Sequence, residues 1–341
     1  MILVTGANGF LGSNLIDELS GRKHRIRALA GPGNIRHNLH GKVAEIVHGD
    51  ILDPKMVRDA VAGCEAVIHT AAVTSIWPPR DERQRRINIQ GTANIIEAAR
   101  DTGVKRLVYV GSATSFGYGS KENPGDERRQ YAGGRYGLDY FDSKFEAQKI
   151  VLQAVHRGDV PAVVVNPTYM FGPYDTKPSS GTLIIGAYHQ KIPAGATGGR
   201  NYISVKDVSV GIANALEKGR VGECYILGNE NLCYTELFEK ISSVIGKPAT
   251  IVTYPTWLGF VVGLAGSVYG RMFNVMPPLT LVLVKLALSE HYYTAGKAVQ
   301  KLQIPQTPIE TAIDEAFRWF RAHGYLDIDF LRNRVQRRRS A

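Results

Sequence analysis

The chain has 341 residues, 44% of them hydrophobic and 21% charged, enough to bury a large core in one large or two modest domains. Its three cysteines, Cys64, Cys224 and Cys233, are widely spaced and form no Cys-x-x-Cys pair, which argues against a disulfide framework and against a zinc site, so no metal is expected. The net charge of +10 favours phosphate-bearing ligands, acidic lipids or nucleic acid. The densest basic run, five arginines between Arg332 and Arg339, carries no aromatic residue and reads first as a solvated tail, so no nucleic-acid partner is expected.

The first residues, Met1-Ile2-Leu3-Val4-Thr5-Gly6, lack a basic n-region and a leader-like apolar stretch, which predicts a cytoplasmic protein. Apolar runs of strand length follow one another at Ile2 to Val4, Ile26 to Leu29, Ala44 to Val47, Ala66 to Ile68, Leu107 to Val110 and Ala162 to Val165. Helical patterns such as Leu11 to Leu19 and Ile87 to Ala99 alternate with them, which predicts an α/β fold with a doubly wound parallel sheet. After Asn166-Pro167 the pattern loosens into glycine-rich and proline-rich loops, with isolated strands at Tyr202 to Val205 and Cys224 to Leu227. The expected organisation is a dinucleotide-binding domain over 1–166, a smaller substrate-binding lobe over 167–330 interleaved with it, and a basic tail over 331–341.

The first strand runs straight into Gly6-Ala7-Asn8-Gly9-Phe10-Leu11-Gly12 and a helix. Glycine permits the tight turn and the close approach of backbone to a pyrophosphate, whose charge meets unpaired N–H groups and the positive end of the helix dipole. At the end of the second strand an acid would bond a free ribose 2'-hydroxyl, but Arg25-Ile26-Arg27-Ala28-Leu29-Ala30 has none. Cations there and at Arg36 favour NADP(H), with NAD(H) the alternative. Asp50 and Ile51, after the third strand, stand where the adenine would lie, or Asp50 caps the next helix.

A Tyr-x-x-x-Lys spacing occurs three times. Tyr202 and Lys206 lie in an extended run, which separates them by roughly 13 Å. Tyr293 and Lys297 follow no strand-end serine at a suitable distance. Tyr140 and Lys144 open an amphipathic stretch reaching about His156, where residues four apart share a helix face. Lys144 would hold a charge beside the phenol and lower its pKa, making an acid/base. The fifth strand ends in Val110-Gly111-Ser112-Ala113-Thr114, so the hydroxyl of Ser112, or of Thr114, stands at the carboxyl edge of the sheet to polarise a carbonyl. Asn88, at the head of its predicted helix, would hold backbone or water in a proton relay, or serve structure alone.

These residues together resemble the extended short-chain dehydrogenase/reductases, whose nucleotide domain is of the Rossmann type. The likeness rests on Thr5-Gly6 with the glycine triplet, Gly49-Asp50, His69-Thr70-Ala71-Ala72, Asn88 with Gly91-Thr92, Ser112, Tyr140 with Ser143-Lys144, and Pro167 with Phe171-Gly172-Pro173. Within that superfamily the chain is similar to dihydroflavonol reductase-like proteins. The resemblance implies a triad of Ser112, Tyr140 and Lys144, with Lys144 also bonding the nicotinamide ribose. It also implies cofactor contacts from Gly6, Asn8, Gly9, Phe10, Leu11, Gly12, Thr70, Ala71, Ala72, Asn166 and Pro167, substrate contacts from Tyr169 and Lys177, and a homodimer. Ser112-Ala113-Thr114-Ser115 lacks the acidic pair of sugar dehydratases, which disfavours dehydration.

Between Pro248 and Val284 the only charge is Arg271. From Trp257 to Tyr269 the large residues fall on one helical face and Gly259, Gly263, Gly266 and Gly270 on another. The first expectation is buried lid helices; the sharper one is a greasy substrate pocket or a membrane-surface contact that makes the protein peripheral. The favoured function is carbonyl–alcohol interconversion on a hydrophobic small molecule. A nucleotide-sugar epimerase with bound NAD is the alternative, and a non-catalytic nucleotide-sensing scaffold the third.

Overall fold

The computed structural model describes residues 1–31, 39–190, 197–248 and 255–327. Seven parallel strands form the main sheet in the order β3-β2-β1-β4-β5-β6-β9. They are β1 (Ile2–Thr5), β2 (Ile26–Ala30), β3 (Glu45–His48), β4 (Ala66–His69), β5 (Arg106–Val110), β6 (Ala162–Pro167) and β9 (Cys224–Leu227). Strand order reverses between β1 and β4, which opens a crevice at the carboxyl edge of the sheet where such folds take ligands. The run Cys224 to Leu227 is therefore no isolated strand; it pairs with β6 and completes the sheet.

Alternation along the strands loads both faces. Ile2, Val4, Ile68, Val108 and Val165 point to one side and meet Leu15, Ile16 and Leu19 of α1 (Phe10–Gly21) and Val208 and Ile212 of α6 (Val205–Lys218). Leu3, Val67, Leu107 and Val164 point to the other, against α2 (Pro54–Val61), α3 (Glu82–Asp101) and α4 (Asp139–His156). Each fully buried Leu or Ile in these layers holds about 2–5 kcal/mol against truncation to alanine. Helix α3 starts five residues before the predicted Ile87, because Asp81 caps it by accepting from Gln84 N at 3.2 Å. Asn88 thus lies in its second turn rather than at its head.

The rest of the chain builds a second layer at the carboxyl edge. Strand β8 (Gly199–Ser204) is the spine of a small sheet with β7 (Tyr169–Phe171), β10 (Glu230–Cys233) and β11 (Glu290–His291). Helices α5 (Thr182–Tyr188), α7 (Tyr234–Ile245) and α11 (Ile309–Ala322) pack around it through Phe171, Tyr202, Leu237 and Phe320. Val205, predicted as strand, opens α6 instead, since the Ser204 hydroxyl accepts from Lys206 N and caps the helix.

Helix α8 (Thr256–Phe273) overturns the expectation of a buried lid. Its glycine stripe is the inner face: Gly259, Gly263 and Gly270 are buried, and its large residues face out. The stripe packs on α9 (Leu281–Ala287) and the segment before it, where a Cβ on Gly266 would sit 2.1 Å from the Leu279 carbonyl oxygen. Only glycine allows that approach, so the bulky side chains are left with solvent. Among the described residues no helix is long and apolar enough to cross a membrane.

Candidate active site

The glycine loop forms a cradle at the head of the crevice. Gly6 has a φ of +65° and lies so close to the loop after β4 that a Cβ would be 2.8 Å from Ala71 Cα. A Cβ on Gly12 would be 2.1 Å from the Gly6 carbonyl oxygen. Gly9 caps α1 with no side-chain acceptor for the first-turn N–H groups, which run through Phe10, Leu11 and Gly12. Thr70 Oγ1 donates to Thr5 O at 2.6 Å and Ala71 N to Thr5 Oγ1 at 3.2 Å, fixing the neighbouring strand ends, with Ala72 next in the same loop. Asn8 is partly exposed on this rim. The cradle and the uncapped helix fit a dinucleotide pyrophosphate.

Asp50 is exposed, and its Oδ1 accepts from Leu52 N at 3.0 Å. The cap of α2 is Asp53, not Asp50, so the helix-cap alternative for Asp50 falls away. Ile51 is buried against Gly91. Arg27, counted among the cations near a 2'-phosphate, is spent elsewhere: it donates to Glu45 at 2.6 Å and to the Ala60 and Ala62 carbonyls at 2.8 and 2.7 Å. Arg36 lies outside the described residues.

Helix α4 presents Tyr140 and Lys144 one turn apart. Arg80 fixes its start by pairing with Asp139 at 2.8 Å and Asp142 at 2.9 Å, and Asp139 accepts from Asp81 N at 2.7 Å, tying it to the cap of α3. Asn88 completes the joint. It brackets Val73, accepting from its N at 2.8 Å and donating to its O at 2.9 Å, and donates to Ser143 Oγ at 2.9 Å. In this arrangement Asn88 holds backbone and α4 in place.

Ser112 is buried at the end of β5. Its oxygen accepts from Thr114 Oγ1 at 2.8 Å and Thr114 N at 3.3 Å, which fills both lone pairs and leaves its own proton to give. That hydroxyl meets the Tyr140 phenol. Burial pushes the phenol's pKa up, while the Ser112 bond and the Arg200 charge pull it back. Lys144 Nζ donates to the Val110 carbonyl at 2.7 Å, over the Tyr109 ring, and burial pulls its pKa down to about 7. Beside Lys144, expected as the cation that lowers Tyr140, Arg200 adds a second positive charge acting on the phenol.

Arg200, on β8, is not among the site residues expected from the sequence. It is partly buried, its Nε donates to Tyr234 OH at 2.9 Å, its guanidinium lies 5.4 Å from the Tyr169 ring centroid, and among the described residues it makes no ion pair. Burial works against its charge, but the surrounding tyrosines hold its pKa above the usual value. Nothing in the local sequence signals this, because only the pairing of β8 brings Arg200 to the crevice. Tyr169 thus belongs to the crevice wall, whereas Lys177 is exposed on the loop between β7 and α5.

Two further features went unread. Asn166 Nδ2 donates to Ser112 O at 3.0 Å and to Gln148 Oε1 at 2.6 Å, so Asn166, with Pro167 after it, braces the serine turn from β6. Beneath lies a polar chain: Ala71 N to Thr5 Oγ1, Thr5 to His69 Nδ1 at 2.7 Å, His69 Nε2 to Thr92 Oγ1 at 3.1 Å, and Thr92 to Asn88 O at 2.6 Å. Thr92 spends its proton on Asn88, so His69 must donate from Nε2 and accept at Nδ1. The ring is neutral, burial and the Lys144 charge having pulled its pKa down to about 3.

Residues 2–228 match the NAD dependent epimerase/dehydratase family. The chain belongs to that family. A Synechocystis sp. protein provisionally named dihydroflavonol 4-reductase is 33% identical over 95% of each chain. Sterol demethylase protein B of Methylococcus capsulatus is 28% identical over 95% of this chain and 99% of its own. The crystal structure of gox2253 superposes with a TM-score of 0.83 at 33% identity, covering 95% of this chain and 98% of that one. The chain is thus an extended short-chain dehydrogenase/reductase, an NAD(P)-dependent enzyme acting on CH–OH or C=O groups.

Proposed function

We propose that this enzyme is an NADP(H)-dependent reductase interconverting a carbonyl and an alcohol on an apolar small molecule, with Tyr140 as general acid and base. The observation that carries the reading is the placing of the Ser112 proton: its lone pairs are filled by Thr114, so its one proton is left to donate to the oxygen of a bound carbonyl beside Tyr140. The glycine cradle would hold the cofactor's pyrophosphate, and the bound nicotinamide would supply or accept the hydride. In reduction, the Tyr140 proton passes to the substrate oxygen while Ser112 donates to the same oxygen; in oxidation, Tyr140 takes the proton back. Lys144 holds the Val110 carbonyl, and with it the end of β5 on which Ser112 stands. Asn88 acts by holding Val73 and Ser143, and Lys177 serves from the rim.

The preference for the phosphorylated cofactor is supported by the absence of any acid from Ala30 to Ala44. An apolar substrate is supported by Ile76, Phe141 and Val282, which cluster with Tyr140, and by relatives named for a dihydroflavonol and a sterol. A homodimer through α3 and α4 completes the reading. Epimerisation of a nucleotide sugar with bound NAD is the second reading, and Arg200 favours it, since an unpaired cation suits an anionic substrate. The two separate in one preparation. The reductase reading expects NADPH consumption on a panel of apolar ketones and aldehydes; stoichiometric NAD in the purified protein with no NADPH turnover on any of them overturns it.

A further inference from the structure

We propose that α8 docks this protein on the surface of an anionic bilayer, burying its outer face among the acyl chains without crossing. The helix inverts the pattern of a water-exposed one. Trp257 is 66% exposed, Leu264 55% and Met272 73%, and Val261, Val268 and Tyr269 are exposed beside them. At 100° per residue the exposed large residues cover roughly 220° of the helix circumference, with the glycines opposite. That arc is wider than a flat protein partner covers, and an apolar continuum covers it without a matching shape. The arrangement is built in, since a Cβ on Gly263 would be 2.8 Å from Val284 Cγ2 and the helix cannot turn its large side chains inward.

Charge chooses the surface. From Thr256 to Ala287 there is no acid, and the charges are Arg271, in the last turn of α8, and Lys285, in the last turn of α9. Trp77 closes on α8 at Gly270, and the chain leads from it past Asp81 and Glu82 into exposed Arg83 and Arg86. Five arginines follow between Arg332 and Arg339, beyond the described residues, in a chain of net charge +10. Trp257 and Tyr269 suit the headgroup boundary, and the cations suit anionic headgroups. Helix α9 carries Val282 into the cluster around Tyr140, so a docked α8 sets the crevice one layer from the bilayer. Delivery of an apolar substrate from the membrane rests on the reductase reading above; docking does not.

The test is flotation of the full chain with vesicles of equal phosphatidylglycerol and phosphatidylcholine at low salt. The wild type and Tyr140→Phe are expected to float together, and both to stay behind with pure phosphatidylcholine at high salt. Val261→Asp with Leu264→Asp is expected to lose at least about tenfold of the bound fraction, with an unchanged melting temperature and unchanged turnover of a water-soluble carbonyl. A wild type that does not float, or a double variant that still does, overturns docking. So does a double variant that converts a dimer to a monomer in sedimentation, which gives the face to a second copy.

Discussion

Tyr140 and Lys144 stand one helical turn apart on α4, whereas Tyr202 lies within β8 and Lys206 in the first turn of α6. Tyr140 lies near Ser112 and Arg200; Tyr202 is fully buried, stacked on Phe171 with ring centroids 5.7 Å apart, and its hydroxyl finds no partner among the described residues. Lys144 is buried under the sheet edge, while Lys206 is exposed and paired with Glu315 at 2.6 Å. The third pair divides in the same way: Tyr293 is buried beside Ala113 and Phe116, but Lys297 turns away to Glu223 and the Cys224 carbonyl. One spacing thus gives three different environments. Reactivity comes from what surrounds a phenol and not from its distance in sequence to a lysine.

If surroundings decide, removing them should hurt in order of their closeness to the chemistry. Gly9→Asp puts a carboxylate where a pyrophosphate would rest, so NADPH affinity should fall about 100-fold by titration. Since Gly9 is the uncapped head of α1 at a φ of −83°, the same change should hold or raise the melting temperature. A smaller effect is expected at Arg200, whose charge lowers the pKa of Tyr140. Arg200→Met should therefore raise that pKa, and the rising, acid-side limb for alcohol oxidation should move to higher pH. Lys206→Gln should do least: it breaks an exposed ion pair, costs about 0.2–1 kcal/mol in urea unfolding, and leaves turnover within about twofold. A loss of turnover at Lys206 comparable to that expected for Tyr140→Phe would erase the contrast.

Much of this was legible because it is local. The strands of the main sheet are short apolar runs between turn residues, and the glycine loop, Ser112 and the Tyr140 helix sit at their ends, so order along the chain gives their place at the edge. Arg200 was not legible as a crevice residue, because its neighbours Tyr169 and Tyr234 are brought together by the β7–β8–β10 pairing and by no periodicity. The weakened base at Lys144 arises from burial, which sequence does not measure. For α8 the two faces were evident, but which one is buried was decided by how closely Leu279 and Val284 approach. Glycine proved the contact surface there, against the usual rule that large apolar residues seek the core.

The central claim is tested most directly by Tyr140→Phe beside Tyr202→Phe, each assayed for turnover and for NADPH binding. Loss of a general acid predicts that Tyr140→Phe lowers turnover by about 10²–10⁴-fold with nucleotide affinity intact, while Tyr202→Phe stays near wild type. A Tyr140→Phe enzyme that keeps full turnover would contradict the account.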